Sequence, residues 1–124
     1  MLRVLIVEDN KIFREALKNR LDDNFKSMVV EEASNSEEAL QKINKVPPHL
    51  IFMDIRLPGV NGLQLTQKIK KDLPGINIAI LTDYDLPEYR EAANQYGADR
   101  FFVKSAFNWN EAEALIKSIQ SSAR

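Results

Sequence analysis

Five short apolar runs recur along this chain, and a stretch of helical length with apolar residues on one face follows each of them. That alternation restricts the fold more than any other feature. The runs are Val4-Leu5-Ile6-Val7, Met28-Val29-Val30, Leu50-Ile51-Phe52-Met53, the segment 76–81 and Phe101-Phe102-Val103. Each is short and rich in β-branched or aromatic residues, so each reads as a strand. The stretches between them repeat near 3.6 residues. Their apolar faces are Ile12, Phe13, Ala16, Leu17 and Leu21; Ala39, Leu40 and Ile43; Leu63, Thr66, Ile69 and Leu73; Ala92, Ala93 and Tyr96; and Ala112, Leu115, Ile116 and Ile119. Lys11, Arg14, Lys18 and Arg20 fall largely outside the first face. Strands alternating with helices predict βαβ units, a parallel sheet and right-handed crossovers.

Cap and breaker residues fit the same frame. Asn10 is placed to cap the first helix and Asn61-Gly62 leads the third. Asn35 with Glu38, Asp85 with Glu88, and Asn108 with Glu111 have capping-box spacing, and Pro87 falls inside a first helical turn. Pro47-Pro48 and Pro74-Gly75 end helices, Gly97 caps another, and Ser121-Ser122 reads as a fraying end or the start of a linker.

The first, third and fourth runs are near-continuously apolar, as strands covered on both faces must be. The second turns polar at Glu31-Glu32 and the fifth is short, so both suit sheet edges. The order 2-1-3-4-5 satisfies these conditions and makes the fold a doubly wound, flavodoxin-like α/β sheet. Ligands of such sheets sit at the carboxyl ends of the strands, at the switch point between the first and third. Here that point brings Glu8 and Asp9 against Asp54, and the next strands bring Thr82 and Lys104 to the same rim.

Bulk properties narrow the function. The 124 residues suffice for one domain with a core and are too few for two, so residues 1–124 are expected to form a single unit. A net charge of −1 without a Lys/Arg stripe argues against direct nucleic-acid binding. The absence of cysteine removes disulfides and thiolate metal sites and fits a cytoplasmic location. Glu8-Asp9 stop the first apolar run too early for a signal peptide, and no later run is long enough to span a membrane.

Three carboxylates at one rim cannot all stay ionised unaided: one takes a proton or a cation joins them. Oxygen donors without His or Cys suit a hard ion, Mg²⁺ before Ca²⁺, with open positions left for water and phosphate. A carboxylate there can act as nucleophile and carry an acyl phosphate, its phosphoryl charge met by the metal, Lys104 and the Thr82 hydroxyl. Taken singly these residues have plainer readings, such as a solvated turn for Glu8-Asp9 or a surface charge for Lys104; their convergence favours the site. His49, the one histidine, precedes the third strand at the opposite end and reads as a loop residue, and Trp109 as packing for the start of the last helix.

At these residues the chain resembles the receiver domain of two-component response regulators, over essentially its whole length. The matching pieces are Glu8-Asp9, Met53-Asp54-Ile55-Arg56-Leu57-Pro58-Gly59 with Asn61-Gly62, Thr82, Gly97-Ala98-Asp99 and Lys104. The resemblance implies that Asp54 accepts phosphate from a sensor histidine kinase or phosphotransfer protein. It implies Mg²⁺ held by Glu8, Asp9, Asp54 and the Arg56 backbone carbonyl, with Thr82 and Lys104 on phosphoryl oxygens. Phe101 stands where the family has its rotating Tyr or Phe. Catalysis would be limited to the protein's own phosphorylation and dephosphorylation. An output domain or partner would engage the fourth helix, fifth strand and fifth helix, and a phosphorylation-dependent dimer is a further expectation.

Three departures from the family pattern stand out. Ser105 replaces the usual proline, as in some branches with a helix-turn-helix output. Asp83 occupies a position that favours a small residue, where it is expected to repel an incoming phosphoryl donor and fill the entrance, with Arg56 across the rim long enough to pair with it. Tyr84 and Arg56 are bulky at two positions that tune phosphoryl lifetime. The alternative is a phosphate-independent pseudo-receiver, an interaction module, favoured by Asp83 alone. A haloacid-dehalogenase-type phosphatase wants an acid where Arg56 stands, and a flavodoxin wants a hydroxyl- and glycine-rich loop where Glu8-Asp9 stand.

Overall fold

The computed structural model describes residues 1–122, so the last two positions of the expected unit, 123 and 124, lie outside the described residues. The strands are β1 (Leu2–Val7), β2 (Met28–Ala33), β3 (Leu50–Asp54), β4 (Asn77–Thr82) and β5 (Arg100–Val103). The helices are α1 (Lys11–Asn24), α2 (Ser36–Lys45), α3 (Gly62–Asp72), α4 (Pro87–Gln95) and α5 (Trp109–Ser122), with a 3₁₀ turn at Lys104–Ala106. The sheet is parallel with order β2-β1-β3-β4-β5, as the polarity of the runs predicts. Ser121 and Ser122 are the last residues of α5. Among the described residues, no helix is long and apolar enough to cross a membrane.

Successive strand residues alternate between two cores. Val4, Ile6, Leu50, Phe52 and Leu81 face α1 and α5, meeting Leu17, Leu21, Leu115 and Ile116. Leu5, Val7, Ile51, Met53 and Ile80 face the other side, meeting Ile43, Leu65, Ile69 and Ala93. The α1 stripe is narrower than expected. Phe13, Leu17 and Leu21 pack inward, whereas Ile12 is 83% exposed and Ala16 is exposed. Each residue turns a helix by about 100°, so Ile12 and Ala16 point along the flank of the helix that the sheet does not reach.

Asparagine side chains accept the first free N–H groups of α1, α2 and α3, at Asn10, Asn35 and Asn61, and Asn108 accepts from Glu111 N at the start of α5. The exception is α4. Its N-cap is Leu86, without a side-chain hydrogen bond, and Asp85 pairs with Arg90 at 2.5 Å rather than capping the helix. Gly97, at φ +91, turns the chain left-handed after α4, as its expected capping role requires.

Candidate functional site

The register delivers the site. Val7 is level with Met53, Asp54 with Leu81, and Thr82 with Val103. One further residue along β1 and β5 brings Glu8 beside Asp54 and Lys104 past Thr82. Behind Asp54, the chain must turn back at once into α3. The Gly62 N–H donates to the Ile55 carbonyl at 2.7 Å, and a Cβ on Gly62 would stand 1.8 Å from the Asp54 carbonyl oxygen. Only glycine lets a helix start so close to this strand end. The resulting cleft, about 370 Å³, is lined by Glu8, Asp9, Asn10, Asp54, Arg56, Thr82, Asp83, Tyr84 and Lys104.

Glu8, Asp54 and Thr82 are buried, while Asp9 is exposed at the mouth. Carboxylate oxygens of Glu8, Asp9 and Asp54 lie within 4.8 Å of one another. The Lys104 ammonium forms a close ion pair with Glu8 Oε1 and lies 3.5 Å from Asp54 Oδ2, with its side chain only 9% exposed. It also lies 5.0 Å from the centre of the Phe13 ring, which helps wall it from water. Glu8 Oε2 accepts the Asn10 N–H at 3.0 Å. The Thr82 hydroxyl accepts the Tyr84 N–H at 3.1 Å and still carries a proton to donate.

The two buried acids are pulled in opposite directions. Burial works against ionising Glu8, but the Lys104 ammonium and the Asn10 N–H outweigh it and hold this carboxyl below the usual range. Burial, then the hydrogen bond and charge of Glu8, push the Asp54 carboxyl up to about 7 against the pull of Lys104. Burial also opposes the Lys104 charge, yet Glu8 and Asp54 raise its pKa. One ammonium therefore neutralises Glu8 and leaves Asp54 short of positive charge.

That deficit is what a cation would fill. Glu8 Oε1 is buried and, apart from its ion pair with Lys104, has no hydrogen-bond partner among the described residues. The donor set is all oxygen, with one exposed acid at the mouth, which fits a hard ion that keeps part of its water.

Around this centre the expected roles divide. Asp83 does not pair with Arg56: its carboxylate lies 4.0 Å from Lys104, and the Arg56 guanidinium lies 4.2 Å from the centre of the Tyr84 ring. The loop after β4 turns Asp83 toward the nearest cation, and the flat guanidinium stacks on the aromatic face instead. Phe101 is half-buried on β5, outside the cleft, with Arg90 lying 4.6 Å over its ring. His49 lies at the far end of β3, where its Nδ1 accepts the Arg3 N–H at 3.0 Å. Trp109 packs at the start of α5 with Arg20 4.4 Å over its ring. Sequence reading placed Arg14 outside the apolar face of α1 and gave it no role, but its guanidinium donates to the Glu8 carbonyl at 2.7 Å. The Glu8 carbonyl is only six residues away, but the partner that steers the guanidinium toward it, Glu32, comes from β2 and is not signalled by the local pattern.

Comparison with known proteins points the same way. The model of the response regulator receiver domain matches residues 4–120. The chain is 32% identical to the response regulator protein VraR of Staphylococcus saprophyticus over 94% of its length and 56% of that protein. It is 30% identical to the response regulator GacA of Pseudomonas protegens over 100% of its length and 58% of that protein. It thus spans little more than half of these relatives. Among solved structures, TrrA from Thermotoga maritima, a response regulator protein in complex with Mg(2+)-BeF, superposes with a TM-score of 0.83. The two are 34% identical, over 96% of this chain and 99% of that one. The signal receiver domain of a DNA-binding response regulator from Colwellia psychrerythraea has a TM-score of 0.92 at 24% identity, covering 98% and 99%, a likeness of fold.

Proposed function

This chain belongs to the family of response regulator receiver domains of two-component systems, and from that premise we propose that it is a switch driven by phosphorylation of Asp54. The observation that carries the reading is the position of Lys104, bonded to Glu8 and 3.5 Å from Asp54 in a cleft that also holds Thr82. Asp54 is the nucleophile. One of its carboxylate oxygens attacks the phosphorus of the donor, and the bond from phosphorus to the imidazole nitrogen of a kinase phosphohistidine breaks, its electron pair leaving with the imidazole. Lys104 faces the developing phosphoryl charge on one side and the Thr82 hydroxyl donates on the other. Glu8, Asp9, Asp54 and the Arg56 carbonyl would hold Mg²⁺. Bound there, the ion supplies the positive charge that lets Asp54 ionise and meets the charge of the phosphoryl oxygens.

Once phosphorylated, Asp54 draws the Thr82 hydroxyl inward and away from the Tyr84 N–H. This releases the loop before α4 and opens space toward Phe101. Two packings of α4 and β5 are thereby biased, and an output domain, a partner or a second copy reads α4, β5 and α5. We place all 124 residues in this one domain, working in the cytoplasm with a sensor histidine kinase or phosphotransfer protein as donor and catalysing only its own phosphorylation and dephosphorylation.

Incubation with acetyl phosphate and Mg²⁺ should add one acid-stable, base-labile phosphoryl group, and omission of Mg²⁺ should prevent it. Beryllofluoride, a phosphoryl mimic, should then shift amide resonances over Pro87–Gln95 and at Phe101. Unchanged resonances there at saturating mimic would favour the phosphate-independent interaction module.

A further inference from the structure

We propose that Arg14 is a positioning residue for the cation site, holding the Glu8-Asp9 turn in the shape that Mg²⁺ requires. This rests on reading Glu8, Asp9 and Asp54 as that site. The Glu8 backbone is gripped on both sides. Its N–H donates to the Ala33 carbonyl at 2.9 Å, and its C=O accepts Arg14 Nη1 at 2.7 Å. The Arg14 backbone N–H makes the first hydrogen bond of α1, to the Asn10 carbonyl at 3.0 Å, which sets the side chain at the foot of the turn. The other edge of the guanidinium is anchored: Arg14 Nε meets Glu32 Oε1 at 3.2 Å on β2. The Glu32 carbonyl in turn accepts the Lys42 ammonium from α2. With the Arg14 side chain 15% exposed and that of Glu32 30%, this is not a loose surface pair.

The need for such a clamp follows from the charges. Three carboxylates with oxygens within 4.8 Å repel one another, and that repulsion pushes outward on the β1–α1 turn that carries two of them. A charged donor on the backbone of that turn opposes the push without touching the carboxylates. A guanidinium can reach the carbonyl and Glu32 at once because its donors diverge in a rigid fork; an ammonium on a flexible stem serves one of them well. Groups that orient metal ligands from behind typically change metal affinity by tenfold or more when removed.

The test measures Mg²⁺ affinity by calorimetry, together with the Mg²⁺ concentration for half-maximal labelling by acetyl phosphate. Arg14→Gln should weaken Mg²⁺ about tenfold and raise the labelling midpoint in proportion, while the labelling rate at saturating Mg²⁺ stays at the wild-type value. Arg14→Lys should fall between the two, and Glu32→Ala should move both readouts in the same direction by less. If Arg14→Gln does not fold, these last two carry the test alone. Unchanged Mg²⁺ affinity in the folded variants overturns the proposal, as does an unchanged midpoint with a lowered maximal rate, the mark of a merely structural role. If wild type itself binds no Mg²⁺ at millimolar concentration, the site reading falls and this inference with it.

Discussion

Asp54→Asn keeps the shape of the side chain and removes its charge, so in protein freed of metal by chelation it isolates the electrostatic strain of the cleft. The carboxyl is pushed up to about 7 from an ordinary 3.8, chiefly by burial and by Glu8. With the native value raised, the folded state keeps a proton that the unfolded chain releases. The stability this confers is complete below pH 3.8 and is lost as pH rises through about 7. At 1.36 kcal/mol for each pH unit between the two values, the loss amounts to about 4 kcal/mol, and water entering the open cleft reduces it to about 3 kcal/mol. Glu8, held below its ordinary 4.5, acts in the other direction, and its contribution begins to be lost only below that pH, so it is constant from pH 5 to pH 8. Urea unfolding followed by Trp109 fluorescence should therefore find the variant ahead by only about 1 kcal/mol near pH 5, where the unfolded carboxyl is already ionised but the native one is not. By about pH 8 Asp54→Asn should be more stable by about 3 kcal/mol. Saturating Mg²⁺ should close the gap by binding the native wild type alone. A stability difference that is the same at both pH values would refute the reasoning, because it would mean that Asp54 is not held protonated by its surroundings.

Three further substitutions probe the surroundings. Asp83→Ala removes a carboxylate that is 67% exposed and 4.0 Å from Lys104. It is worth about 1 kcal/mol, so labelling by acetyl phosphate should accelerate by up to about fivefold, less at high salt if charge dominates; no acceleration at any ionic strength would remove Asp83 from the site's electrostatics. Gly62→Ala forces a methyl group to within 1.8 Å of the Asp54 carbonyl unless the backbone shifts. It should destabilise by about 3 kcal/mol in urea titrations and weaken Mg²⁺ binding, whereas a neutral effect would mean that α3 can slide away from β3. Leu86→Asp supplies the side-chain cap that α4 lacks, at a residue whose extended backbone suits one. It should stabilise the protein by about 1 kcal/mol and slow amide exchange in the first turn of α4; unaltered exchange there would show that the helix start is held by other contacts.

Much of this site could be read before the fold was known because strand ends are easy to place. An apolar run closed by an acid, as in Leu50-Ile51-Phe52-Met53-Asp54, fixes both the strand and the rim residue, and parallel register then brings Glu8, Thr82 and Lys104 to it. Contacts made by long side chains were not legible. Asp83 faces Lys104 and Arg56 lies on Tyr84, because flexible stems choose among several partners within reach. Arg14 has the polarity of a surface residue, and the proximity of β2 to β1 is what gives it Glu32 and so directs it to the nearby Glu8 carbonyl. The cap of α4 was misread for a related reason: Asp85 had capping-box spacing, but Arg90 offers it a charged partner one turn on.

The central claim is that Asp54 itself carries the phosphoryl group. An aspartyl phosphate is an acyl phosphate, and borohydride reduces it to homoserine while leaving free carboxylates intact. Protein treated with acetyl phosphate and Mg²⁺, reduced and digested, should yield homoserine at position 54 in the peptide spanning β3, and none when Mg²⁺ is withheld. Homoserine at Asp9 or Asp83 instead, or phosphoryl label that survives undiminished in Asp54→Asn, would contradict the account.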